Sequence, residues 1–151
     1  MIQTKGRLPA ETRRVIVDTS TLIGALLRKR SVPNQVLLWV FEHCSIYASP
    51  STLQELAQVV RRPGFDKYAS FADRMAFFEA YADRASVVIP QILVTDCRDP
   101  KDNKFLELAL HIQADVLVTS DDDLLTLNPW RGIAVLSPTD FMASTEKLKQ
   151  L

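Results

Sequence analysis

The sequence predicts a three-layer α/β/α domain with a largely parallel central sheet. Short, mostly apolar runs recur at 15–17, 45–48, 87–89, 116–118 and 133–136, and segments of helical period lie between them. The dipeptides Ser49-Pro50, Asp99-Pro100 and Ser137-Pro138 supply cap-and-proline starts for three of those helices. Strands that alternate with helices pair in parallel, because each crossover helix covers a face of the sheet.

Length and composition suit one such domain. The 151 residues are 47% apolar and 24% charged, and a chain of this size buries on the order of 70% of its unfolded surface. No repeat or low-complexity segment is visible, which excludes a solenoid or a disordered chain. The formal net charge is zero, so a polyanionic partner would be met by local patches and bound metal rather than by a global field. Cys44 and Cys97 are too few and too far apart for a disulfide or zinc framework, and read as buried small residues in a reducing compartment. The N-terminus carries no apolar leader, and no run approaches the roughly 18 apolar residues that span a bilayer. A cytoplasmic protein without a membrane partner is expected.

Residues 1–14 form a polar arm with Lys5, Arg7, Arg13 and Arg14 against Glu11, ahead of a domain expected over 15–143 and a tail or helix end over 144–151. Val15, Ile16 and Val17 make a first strand buried on both faces, and Asp18 ends it. Leu22, Ile23, Leu26 and Leu27 then recur at helical spacing. Arg28, Lys29 and Arg30 form a basic cluster before a helix opened by Pro33. The second strand, 45–48, leads through Ser49-Pro50 into a helix that turns Leu53, Leu56, Ala57 and Val60 inward and carries Glu55 beside Leu56.

Residues 70–85 are amphipathic, with Phe71, Met75, Phe78 and Ala82 on one stripe read as core, and Phe77 and Tyr81 as candidates for an interface. The run 87–89 is a third strand, stopped by Pro90. Asp99 caps a helix predicted over 100–113, which places Asp102 in the first turn on the face of Phe105, Leu106 and Ala109. Val116, Leu117 and Val118 are the fourth strand. Asp121, just past Thr119 and Ser120, lies at its exit and starts a short helix. A last strand and a C-terminal helix with Phe141 and Met142 complete the alternation.

This order gives the acids a common address. Asp18 and Asp121 leave parallel strands at one edge, the usual ligand edge of an open α/β sheet, and Asp102 and Glu55 come from helices able to flank it. Four carboxylates in one pocket repel each other and do not all stay ionised without a countercharge. A divalent cation resolves that, and hard oxygens with no His or Cys select magnesium or manganese over zinc. Such sites bind one or two ions, which activate water and stabilise the leaving oxygen in phosphodiester hydrolysis. No P-loop, dinucleotide fingerprint or Ser/His/Asp motif competes, and the chain has only four glycines. A dehalogenase-type phosphatase would place a second Asp two residues after the first, where Ser20 stands. A receiver domain needs an acidic pair near its first strand and a lysine after its last, and neither is evident.

Four ordered stretches, VIVDTSTLIGALL, SPSTLQELAQVVRRPGF, RDPKDNKFLELAL and ADVLVTSDDDLL, resemble successive motifs of the PIN domain, in the branch of VapC-like toxins of toxin-antitoxin systems. The resemblance spans 15–141. It implies a sheet in the order 3-2-1-4-5 and a magnesium- or manganese-dependent ribonuclease acting on RNA, single-stranded or structured. By motif it implies Asp18, Asp102 and Asp121 as metal ligands and Glu55 as the residue that positions a second metal or orients the attacking water. Asp123 is an auxiliary acid, and Ser20 stands where many relatives have Asn. Lys101, Lys104 and Arg28, Lys29 and Arg30 are candidate phosphate contacts. A homodimer and an antitoxin that inserts a peptide near the acidic cleft are also implied. The competing reading is a PIN-like RNA- or protein-binding module without turnover.

Overall fold

The computed structural model describes residues 13–149, and side chains for 13–146. The sheet is five-stranded and parallel throughout, as the alternation of strands and helices predicts, and its strands lie in the sequence order 3-2-1-4-5 that the family resemblance implies. Its strands are β1 (Arg14–Val17), β2 (Ser45–Ala48), β3 (Ser86–Val87), β4 (Val116–Val118) and β5 (Ala134–Leu136). Registers Val15↔Val116 and Val17↔Val118 set β1 beside β4, so the chain leaves both strands at one edge.

Side-chain alternation divides the interior in two. Val15, Val17, Val116 and Val118 face one core with Leu22, Val36, Val40, Leu56, Tyr81 and Phe141. These come from α1 (Thr19–Leu27), α2 (Val32–His43), α3 (Pro50–Val60), α4 (Phe71–Arg84) and α7 (Pro138–Lys149). Ile16 and Leu117 face the other core, against Phe105, Leu106, Leu108 and Ala109 of α5 (Asn103–Ile112), Leu124 of α6 (Asp122–Leu125), and Val94 and Cys97 of the preceding segment. Both cysteines are free, Cys97 buried and Cys44 half-buried. Among the described residues no helix is long and apolar enough to cross a membrane.

The basic arm expected over 1–14 lies, apart from Arg13 and Arg14, outside the described residues. Arg14 itself opens β1: its guanidinium donates to the Ile112 carbonyl at 2.7 Å and its N–H to Asp115 at 2.8 Å. At the other end, 144–149 continue α7, and Thr145 is fully buried.

Three elements differ from expectation. The third strand is shorter than 87–89 because it is an edge: one more ladder bond, Val88 N–H to Ala48 carbonyl, follows before Pro90, and Ile89 is 65% exposed. The helix expected from Pro100 begins as a 3₁₀ turn, Pro100–Asp102, and becomes α-helical only at Asn103. There Asp99 accepts from the Lys101 N–H at 3.0 Å and the Asp102 N–H reaches the Asp99 carbonyl at 3.0 Å, so the first turn is wound tight.

In α4 the fully buried positions are Arg74 and Tyr81, while Met75 and Phe78 of the expected stripe pack half-buried against the core and only Phe71, at its start, is half-exposed. The Arg74 guanidinium is needed inside. Its Nε donates to the Val60 carbonyl at the end of α3 at 2.7 Å, its Nη1 to the Ala69 carbonyl at 2.5 Å, and its Nη2 to Asp66 at 2.9 Å. A helix end and a turn that would otherwise bury unpaired carbonyls are thereby satisfied.

Candidate active site

A cavity of about 370 Å³ opens where β1 and β4 end, and Asp18, Glu55, Asp102 and Asp121 all line it. Each arrives by a local rule. Asp18 is the N-cap of α1, accepting from the Thr21 N–H at 3.0 Å. Asp121 is the N-cap of α6, accepting from the Asp123 N–H at 2.8 Å. Asp102 sits at the junction of the 3₁₀ turn and α5 and makes no capping bond. Glu55 lies on α3, whose start is fixed by a Ser49–Thr52 capping box.

Asp18 is 4% exposed. Its Oδ2 accepts from the Thr119 hydroxyl at 2.5 Å, and Ser20 Oγ lies 3.2 Å from both carboxylate oxygens. Burial pushes its pKa up, against the pull of the bonds from Thr119, Thr21 and Ser20. The same Thr119 oxygen accepts from the Asp121 N–H at 2.9 Å. A single fully buried hydroxyl therefore ties the two strand-end acids together. Sequence reasoning passed over Thr119. A Thr two residues before a strand-end Asp was the available signal, since such hydroxyls bond backbone N–H groups two residues on.

Asp102 is the electrostatic extreme of the site. Its Oδ2 is buried and has no hydrogen-bond partner. Its pKa is raised to about 7, first by burial, then by a hydrogen bond its acid form offers Asp121 and by the charges of Asp121, Asp99 and Asp18. Two ionised carboxylates have no donor between them. The ionised form therefore leaves its buried Oδ2 without a donor.

The donor set fits a hard divalent cation: oxygens only, mutually repelling, one of them orphaned. Among the described residues, no three His, Cys, Asp or Glu side chains are drawn together tightly enough to enclose an ion unaided. The acids stand round an open cavity, and water and substrate would supply the remaining ligands of an ion held there.

The other sequence candidates are spread more widely. Asp123 does not line the cavity, and pairs at 3.5 Å with the exposed Arg98. Lys104 turns inward, its Nζ 3.1 Å from Glu55 Oε2. Lys101 is exposed at the turn before α5. Arg28, Lys29 and Arg30 are exposed past the far end of the nine-residue α1, and so stand roughly 15 Å or more along the helix from Asp18 at 1.5 Å per residue.

Arg62, exposed just past the end of α3, also lines the cavity, with Phe65 beside it. Both ride on the segment that Arg74 anchors. Ile23, Val59 and Phe105 form the apolar wall.

A PIN domain family model matches residues 14–123. Protein MJ1680 of Methanocaldococcus jannaschii is 31% identical over 144 residues, an alignment covering 89% of this chain and 92% of that protein. Among solved structures, PAE2754 from Pyrobaculum aerophilum superposes with a TM-score of 0.60 at 15% identity, over 94% of this chain and 97% of that one. VapBC2 from Rickettsia felis, bound to a DNA fragment from its promoter, gives 0.57 at 12% identity, over 82% and 98%. DNA-bound VapBC from Salmonella typhimurium gives 0.56 at 18%, over 84% and 99%. The three structural likenesses are likenesses of fold.

Proposed function

The chain belongs to the PIN domain family, and on that premise we propose that it is a magnesium- or manganese-dependent endoribonuclease, the toxin of a toxin-antitoxin pair acting in the cytoplasm. The observation that carries this reading is the buried, unpartnered Asp102 Oδ2 beside Asp121. A fold that only bound RNA or protein would gain from replacing that carboxylate with a neutral side chain. Two of the similar structures are VapBC complexes bound to DNA, which supports an antitoxin partner.

Asp18, Asp102 and Asp121 would hold the ion, which when bound supplies an activated water and charge stabilisation at the leaving oxygen. The rest is the work of this chain. Thr119 fixes the separation of Asp18 and Asp121 by bonding both. Glu55, held on one oxygen by the Thr19 hydroxyl at 2.5 Å, orients the attacking water and accepts its proton. Arg62 meets a substrate phosphate at the mouth, and Phe65 offers a ring on which an unpaired base stacks, which favours single-stranded RNA.

Labelled single-stranded RNA offered with manganese, magnesium or EDTA tests the reading. Cutting with either metal and none in EDTA is expected, whereas intact RNA in all three would favour the silent binding module. Arg62→Ala is expected to lower kcat/KM about tenfold, the scale of one partly solvated charge-assisted hydrogen bond. Its salt dependence should also flatten by about one phosphate contact. An unchanged salt slope would remove Arg62 from the substrate path.

A further inference from the structure

We propose that this site takes one divalent cation rather than two, and that the Lys104 ammonium serves at Glu55 as the second positive charge; the inference rests on the cation-dependent reading above. The four cavity acids differ in what already satisfies them. Glu55 has a donor on each oxygen, Thr19 Oγ1 on Oε1 at 2.5 Å and Lys104 Nζ on Oε2 at 3.1 Å. Asp102 has a buried oxygen with no donor at all. An ion centred on Asp102, Asp121 and Asp18 supplies a missing partner. An ion at Glu55 would instead have to sit against the ammonium already paired there, cation against cation.

Lys104 is not a loose surface charge that yields easily. Its Nζ also donates to the Lys101 carbonyl and sits 5.4 Å from the centre of the Phe105 ring. The two side chains of the pair are 19% and 27% exposed. A pair this shielded is less screened than a solvated surface pair, and removing one member leaves the other charge poorly solvated. Paired metal sites set their ions about 3.5–4 Å apart and use a shared ring of acids, and here the residue on the α3 side of that ring is already neutralised. Glu55 keeps its second lone pairs, so it still accepts from a water while Thr19 and Lys104 fix its orientation.

The test is manganese binding to the full chain, read as stoichiometry and as the electron paramagnetic resonance of the bound ion. Wild type is expected to bind one equivalent with the spectrum of an isolated ion. Lys104→Met should admit a second equivalent and show spin coupling between the two, and Lys104→Arg, which keeps the charge, should remain at one. Glu55→Gln should leave the first ion's affinity within about threefold. Two equivalents in the wild type, one in a folded Lys104→Met, or a loss beyond tenfold in Glu55→Gln would each overturn the inference. If Lys104→Met does not fold, the wild-type count and Glu55→Gln still decide it. No manganese binding at all would overturn the proposed function as well, whereas two wild-type equivalents would leave that function standing.

Discussion

Asp102→Asn is expected to melt above the wild type at pH 8 in EDTA, to melt level with it near pH 4, and to lose about 10²–10³-fold in metal-supported cleavage, the scale of removing one preorganised charge-stabilising group. The stability gain follows from the direction of the shift. The folded pKa of Asp102 is raised to about 7, by burial first and then by Asp121, Asp99 and Asp18. A raised value favours the fold while the group keeps its proton, and that contribution is lost as pH rises from the ordinary carboxylate range through about 7. Asp18, raised by burial, acts in the same direction. An amide at 102 never ionises, so the variant escapes the decline.

Manganese should reverse the order. An ion that binds only the folded wild type stabilises it by mass action, and the variant gains far less. Melting curves at pH 4 and pH 8, with and without manganese, check all of this. A wild type whose stability rises from pH 5 to pH 8 in EDTA would contradict the placement of Asp102 against its acidic neighbours.

Arg74→Ala is expected to cost about 3–5 kcal/mol, the range for losing one member of a buried, hydrogen-bonded charge set. For a chain of this size that lowers Tm by roughly 6–20 °C. The ion pair itself is a small part of this, because the Asp66 side chain is 64% exposed. Most of the loss comes from the Val60 and Ala69 carbonyls, which lose their guanidinium donors, and from the space a fully buried side chain vacates. Asp66→Asn is the control, expected to stay within about 1 kcal/mol of wild type. Urea unfolding of the two variants separates the effects, and equal losses would mean that the charge pair, not the carbonyl bonds, holds the segment. A stable Arg74→Lys would also argue against the account, since one ammonium cannot reach all three acceptors.

What could be read in advance follows from what has a local signature. Strand runs, cap-and-proline starts and acids at strand exits are local, and the sheet order and shared cavity of Asp18, Glu55, Asp102 and Asp121 were anticipated from them together with the motif resemblance. Arg74 was not legible. An arginine in an amphipathic helix reads as solvated, and only the three-dimensional need of two distant carbonyls places it inside. The pairing of Lys104 was not legible for a related reason: its partner Glu55 lies 49 residues away on another helix, so sequence presents it as a free cation. Thr119 and Arg62 had local cues, a T-x-D spacing and a helix end, but nothing in a single sequence ranks such cues above their many structural uses. The 3₁₀ start of α5 escaped because Asp-Pro signals a helix start without saying how tightly the first turn winds.

The central claim, that these carboxylates serve a metal-dependent ribonuclease, is tested most directly by single-turnover cleavage of one labelled RNA by wild type and Asp102→Asn in parallel, each with manganese and with EDTA. The account predicts cutting by the wild type with manganese alone and background rates in the other three reactions. Equal cutting by the wild type in EDTA, or a wild-type rate from Asp102→Asn, would contradict it.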